Sequence, residues 1–187
     1  ISIGTKVIAA ESTTRNMRLA HPLFALLGIS NLSLACAPES IAYQYLKAIE
    51  AGDVARMGTF MAEDIHYYDP TMAYFGIPAI DLNNRGDTMK FWSDSFRDAQ
   101  VAKMSYEVTD CFVAGPTTVM TLQPTIDVAG SVWGVNKEMI QLGGTHIMTL
   151  EFAEGGKKIK RQTDYVEYAE VTAQVEALKK KFGASVD

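Results

Sequence analysis

Asp69 and Tyr45 are the two residues of this chain best placed by type and neighbourhood to do chemistry together. Asp69 closes the run Ile65-His66-Tyr67-Tyr68-Asp69 and is followed by Pro70, so it ends a short strand among apolar and aromatic neighbours. A carboxylate taken out of water is a candidate proton acceptor. Tyr45 lies on the inner side of the preceding helix, and a phenol facing such a site can stabilise a negative oxygen. Plainer roles compete with both: an Asp before Pro also makes a good turn residue, and a core tyrosine needs only one partner for its hydroxyl. Asp164 sits mid-strand between Thr163 and Tyr165, where a carboxylate needs a reason. His146 alternates with Met148, Leu150 and Phe152 and so faces an apolar side, where a lone histidine is more often a satisfied core residue. His66 falls on the face opposite Asp69, which suggests surface or interface, and Trp133 reads as a pocket rim or a dimer contact.

The elements that must position these residues follow from periodicity and punctuation. Glu39-Ser40 can cap a helix running to about Ala51, with Ile41, Tyr45, Ala48 and Ile49 as its inner stripe. Gly52 ends it, and Asp53 caps a second helix that carries Val54, Met57, Phe60 and Met61. Ile65 to Asp69 is the short strand. Residues 71–86 read as a loop, apolar enough (Met72, Tyr74, Phe75, Ile77, Ile80) to lie over a cavity. Asp87 can cap a third helix to about Ala99, with Met89, Trp92 and Phe96 on one face. Strands are expected at 103–114, 118–128, 138–153 and 158–169, joined by hairpins and hence antiparallel, then a last helix over 170–182. Three helices before a meander give an α+β plan, with helices on one face of a curved sheet and an apolar pocket at the closed end.

The 187 residues suffice for one domain with a real core, and the balance of 48% hydrophobic to 21% charged residues is that of an ordinary globular protein. A net charge of −5 argues against nucleic acid as a partner. The basic cluster Lys157, Lys158, Lys160 and Arg161 reads as a solvated turn. No zinc-ligand spacing and no glycine-rich phosphate loop is present, so neither metal nor cofactor is expected. Residues 1–37 read as a leader, with Met17–Ala35 as an export signal: Met17-Arg18, an apolar stretch centred on Leu23 to Ile29, and small residues at Ser33-Leu34-Ala35. Met17 is the expected start, and the mature domain is expected over 38–187. Cys36 follows the signal directly. It either takes a lipid, as in a bacterial lipobox, or merely lies near an ordinary cleavage site, unless the whole stretch is a buried helix of the fold. Removal of the segment would leave Cys111 as a lone core thiol.

Tyr45-Leu-Lys-Ala-Ile-Glu-Ala-Gly52-Asp53, Phe60-Met-Ala-Glu-Asp64 and Tyr68-Asp69-Pro70 together resemble the opening of the nuclear transport factor 2-like superfamily, which includes SnoaL-like polyketide cyclases, ketosteroid isomerases and limonene epoxide hydrolases. Arg85 to Trp92 is similar to their third helix, and Lys158 to Glu167 to their last strand. The resemblance covers roughly residues 39–183 and implies a cone-shaped α+β fold: a strongly curved antiparallel sheet, three N-terminal helices and a C-terminal helix. Against the ketosteroid isomerases it implies Asp69 as base and Tyr45 as oxyanion donor. Their protonated aspartic acid falls near Met148, with His146 a substitute donor two residues away. Against the epoxide hydrolases, Asp164-Tyr165 matches an Asp-Tyr of the last strand and Asp127 is a second carboxylate, but the arginine expected two residues before it is Thr125. In the SnoaL-like cyclases a pocket carboxylate and a histidine do the acid–base work, a role open to Asp69 or Asp127 with His146. The resemblance implies a homodimer and a cofactor-free isomerase or cyclase acting on a small hydrophobic carbonyl, polyketide or steroid-like compound. An epoxide hydrolase or a non-catalytic exported binding module is the alternative. Asp69, Tyr45, Asp164 and His146 are the expected catalytic residues, and Tyr67, Phe75, Trp92, Asp127 and Met148 the expected ligand contacts.

Overall fold

The computed structural model describes residues 36–76 and 78–184, and the expected leader with its export signal lies outside the described residues. Helix α1, Ile41–Glu50, starts at Ser40, whose side chain accepts from the Tyr43 N–H, and buries Ala42, Tyr45, Leu46, Ala48 and Ile49. Gly52 turns the chain at φ 61°. Asp53 then caps α2, Val54–Phe60, by accepting from the Arg56 N–H at 2.9 Å. Strand β1, Met61–Asp69, begins four residues before the expected Ile65. Helical spacing alone assigned Met61 to the helix, whereas it pairs with Ile159 in the sheet.

Inside the expected loop lie a 3-10 turn, Pro70–Phe75, and a short strand β2, Ile80–Leu82, paired with β1. Helix α3, Arg85–Asp98, is capped by Asn84 rather than Asp87. The Asn84 side chain accepts from the Asp87 N–H at 2.8 Å, which places Asp87 in the first turn, where a negative charge also suits the helix dipole. Two long strands follow, β3 (Val101–Ala114) and β4 (Thr117–Ala129), then β5 (Met139–Gly143), β6 (His146–Phe152), β7 (Ile159–Val166) and helix α4 (Tyr168–Phe182).

The fold is α+β, with a curved, unclosed seven-stranded sheet in the order β2-β1-β7-β6-β4-β3, with β5 also paired to β4. The sheet is mixed rather than wholly antiparallel, because β1 and β7 run parallel. Hairpins fix the sense of β3–β4 and β6–β7 but say nothing of β1, which joins β7 across most of the chain. The strand expected over 138–153 is two strands. β4 pairs with β5 through Thr125–Ala129 and with β6 through Thr117–Leu122. Between the two, a Cβ on Gly143 would stand 2.7 Å from the Pro124 carbonyl oxygen, so the close approach at this break requires glycine.

The main core, between α1, α2, α3 and the sheet, packs Leu46, Ile49, Met57, Ile65, Met120 and Leu150; a smaller one lies under α4 around Val128, Ile140 and Val175. The two cysteines depart from expectation. Cys36 is joined by a disulfide to Cys111 on the edge strand β3, so Cys111 is no lone thiol and the Cys36 sulfur, already bonded, has no valence for a lipid thioether. The bond closes a loop with a sequence separation of 75. Its removal by Cys111→Ser is expected to lower the unfolding free energy by about 4 kcal/mol, the loop-closure value for that length. Urea denaturation of oxidised and variant protein measures the difference, and coincident curves would deny the bond any part in stability.

Candidate active site

Sheet curvature and the helices α3 and α4 enclose a cavity of about 710 Å³. Its floor is aromatic, with the Tyr67 ring 5.3 Å from Phe91 and 5.8 Å from Trp92, and Trp92 in turn 5.6 Å from Phe96. Met72 and Phe75 of the 3-10 turn close one side, where Phe75 packs on the Tyr168 ring at 4.9 Å. Ile126, Val128, Leu142 and Trp133 form the far wall. Asp94, Ser95 and Asp98 add a polar border from α3, and a second polar group forms around Asp69 and His146.

Asp69 is that second group's carboxylate, 2% exposed. Its Oδ1 accepts from the Thr71 N–H at 2.8 Å and from the Thr71 hydroxyl, and its Oδ2 accepts from the Tyr168 hydroxyl at 3.1 Å. Thr71 in turn accepts from the Val166 N–H at 3.1 Å, which ties the 3-10 turn to β7. His146 lines the cavity from β6 and holds Nε2 3.3 Å from Asp164 Oδ1. The pair is close enough for charge attraction but off the angle of a hydrogen bond, so neither atom has a hydrogen-bond partner among the described residues. Asp164 sits behind the cavity wall. Its Oδ2 accepts from Gln162 Nε2 at 2.8 Å, and Gln162 Oε1 accepts from the Tyr45 hydroxyl at 2.6 Å.

Four phenols are held protonated well beyond their ordinary range. Burial is the main cause for each. For Tyr67 the Asp164 and Asp69 carboxylates add to it, for Tyr168 the Asp69 carboxylate, and for Tyr106 and Tyr45 the Asp164 carboxylate. Tyr67, Tyr106 and Tyr168 line the cavity and remain hydrogen-bond donors at any physiological pH. Among the described residues no group of three or more His, Cys, Asp or Glu converges as a metal would require. A second hollow of about 580 Å³ at the hairpin tips, bordered by Val113, Pro116 and Phe152, has a surface Lys160–Glu151 pair and no comparable cluster.

The structure brings together Asp69, His146, Tyr67, Trp92 and Phe75 as cavity-lining residues and sets Asp164 directly behind His146. Tyr45 is not with them. It is fully buried in the main core, edge-on to Phe60 at 6.2 Å, because its hydroxyl is drawn to Gln162. Met148 is core, 0% exposed, and lines nothing. Asp127 alternates away from the cavity-lining Ile126 and Val128 and accepts from Gln141 on β5 at 3.1 Å, so it supplies no second carboxylate to the site. His66, half-buried on the other face of β1, pairs with Asp81 at 2.8 Å. Sequence reasoning missed Tyr106 and Tyr168. The alternation of Tyr106 with Met104 and Val108 marked the inner face of β3, whereas Tyr168, at the strand–helix junction, carried no periodic signal.

Residues 42–161 match the family model described as SnoaL-like domain, and the chain belongs to that family. Solved structures show the same fold at low identity. A protein from Shewanella denitrificans OS-217, provisionally assigned as a SnoaL-like polyketide cyclase, aligns with a TM-score of 0.63 at 20% identity, covering 73% of this chain and 95% of its own. Its counterpart from Shewanella putrefaciens CN-32 aligns at 0.62 and 17%, covering 73% and 94%. An epoxide hydrolase from M. tuberculosis, likened to limonene epoxide hydrolase, aligns at 0.55 and 11%, covering 74% and 88%. No curated protein matches the chain significantly.

The raised phenols fix a pH dependence. A group whose folded pKa lies above its unfolded value near 10 contributes stability that is intact below pH 10 and is lost as pH rises toward the folded value. Each fully buried phenol, Tyr45 and Tyr67, should therefore remove about 1.4 kcal/mol of stability per pH unit above 10. Denaturant melts between pH 9 and 11 measure the slope. Stability that stays level across that interval would show these phenols to be solvated.

Proposed function

We propose that the protein is a cofactor-independent acid–base catalyst acting on a small, largely apolar carbonyl compound. The observation that carries this reading is the meeting, at one end of an apolar cavity, of the Asp69 carboxylate, a histidine backed by a second carboxylate, and phenols that stay protonated. In this reading Asp69 removes a proton beside the carbonyl, and Tyr67 donates to the oxygen as it becomes negative, while the Tyr168 hydroxyl stays on Asp69. Asp69 then returns the proton to the product carbon, and His146, steadied by Asp164, orients the ligand. Tyr45 takes no direct part. The epoxide hydrolase alternative loses its second carboxylate with Asp127. A non-catalytic carrier of hydrophobic molecules is the second reading, favoured by one observation: Asp69 also caps the 3-10 turn, and that alone could account for it.

Deuterium uptake from D2O beside the carbonyl of hydrophobic cyclic ketones, followed by proton NMR, separates the two. Wild-type protein should accelerate uptake, and Asp69→Asn should lower that acceleration by about 10²–10⁴. Uptake at the buffer rate with every ketone supports the carrier.

Two further readings are proposed with it. The disulfide supports an oxidising compartment, hence export. The outer sheet face supports a homodimer. It carries the cross-strand row Phe112, Val119, Thr149, Thr163 and Tyr68, beside Ile147 and Tyr165, which are 38% and 45% exposed. Sedimentation equilibrium should give twice the chain mass, and Tyr165→Lys should yield monomer. A wild-type monomer at 50 μM or so, a concentration at which interfaces of standard size are occupied, would remove the proposal.

A further inference from the structure

The charge around the cavity is one-sided. Among the described residues no lysine or arginine lines it. Two further carboxylates line it from α3, Asp94 and Asp98, and the cations there are already paired with them: Lys90 with Asp94, and Arg97 with Asp94 at 3.0 Å and Asp98 at 2.9 Å. Inside stand Asp69 and, behind His146, Asp164, both 2% exposed. The interior sets two carboxyl groups against a single imidazole, so positive groups are nowhere in excess there. Every hydrogen bond to Asp69 is donated by a neutral group, Thr71 or Tyr168, so nothing there offsets its charge.

We infer that the cavity selects its ligand by charge: it takes an uncharged, oxygen-bearing ring compound, accepts a basic nitrogen, and excludes anything carrying a carboxylate or phosphate near Asp69. A fatty acid, a phosphorylated isoprenoid, or a thioester with an acid group at its reacting end would set like charges a few ångströms apart between largely apolar walls, where screening is weaker than in bulk water. At about 6 Å and an effective dielectric near 20 that repulsion alone is worth about a hundredfold in affinity. The aromatic floor adds attraction for uncharged rings and for cations, and gives anions nothing in return. The inference deepens the functional reading by restricting its substrate class. It rests on the cavity being the ligand site but not on catalysis.

The test is a matched series on the whole protein: 1-adamantanol, 1-adamantanecarboxylate and 1-adamantylammonium, one body with three charges. Binding is followed by the fluorescence of Trp92 and Trp133, the chain's two tryptophans, both in the cavity wall. At pH 7.5 the alcohol should bind about a hundredfold tighter than the carboxylate, and the ammonium no more weakly than the alcohol. In Asp69→Asn the affinity of the carboxylate relative to the alcohol should rise at least tenfold. If that variant does not fold, the wild-type ranking decides. A carboxylate within threefold of the alcohol overturns the inference, and so does failure of all three to bind at millimolar concentration. Deuterium uptake by ketones together with a tightly bound carboxylate would sink the charge rule and leave the catalytic reading standing.

Discussion

A hydrogen-bonded chain through the middle of the sheet, from Tyr45 to Gln162 to Asp164, is the constraint on which the rest of the structure depends. Asp164 and Gln162 are two residues apart on β7 and so share its inner face, where their neighbours are Met148 and Leu150. A carboxylate in such surroundings is tolerated only if its oxygens find partners. Gln162 gives it one N–H, and the same amide accepts from Tyr45, so a residue with no exposed surface satisfies polar groups on a helix and on its own strand. This chain sets how α1 lies across the sheet. It also holds the rotamer of Asp164, whose free oxygen then faces His146. Loss of the Gln162 amide would strand both the phenol and the carboxylate, each at the full desolvation cost of an unpaired buried group.

Local signals in the sequence reported local structure well. Ser40 and Asp53 cap the helices they were expected to cap, because a side-chain oxygen before an apolar stripe meets a free N–H wherever the helix lies. Alternation placed His146 with Met148 and Leu150 on the buried face, and the hairpins fell at their glycines. Long-range pairings were hidden. Tyr45 was expected at the site because it faces inward, but inward led to Gln162, 117 residues away, and not to the cavity. The Cys36–Cys111 bond and the parallel pairing of β1 with β7 link distant segments in the same way. Asp87 was expected to cap α3, and the path of the chain into the helix gives that place to Asn84.

Asp69 shows how one residue can serve stability and still be placed for the chemistry proposed. Its carboxylate begins the 3-10 turn, receives Tyr168 from α4, and through Thr71 is tied to the end of β7. Three elements therefore converge on one side chain in the wall of an apolar cavity. The same bonds that let a carboxylate remain buried also aim it, and a group so fixed needs little reorganisation to meet a ligand. The cap and the base are thus compatible descriptions of the same geometry.

The distribution of unsatisfied groups points to the same place. Among the described residues, the buried side-chain atoms without hydrogen-bond partners are the indole nitrogens of Trp92 and Trp133, Nε2 of His146 and Oδ1 of Asp164. Three of these residues line the cavity, and the fourth backs it. Buried polar groups elsewhere, from Gln162 to Glu50 with its bond to the Tyr106 N–H, have found partners. A fold that pairs its interior polar groups elsewhere leaves these four to whatever fills one hollow, water or ligand. Two of the four are donors on apolar rings, which suits a neutral molecule carrying acceptor oxygens. The other two face each other across 3.3 Å, close enough for a small shift of the imidazole to complete the bond when a ligand presses on the histidine's cavity side.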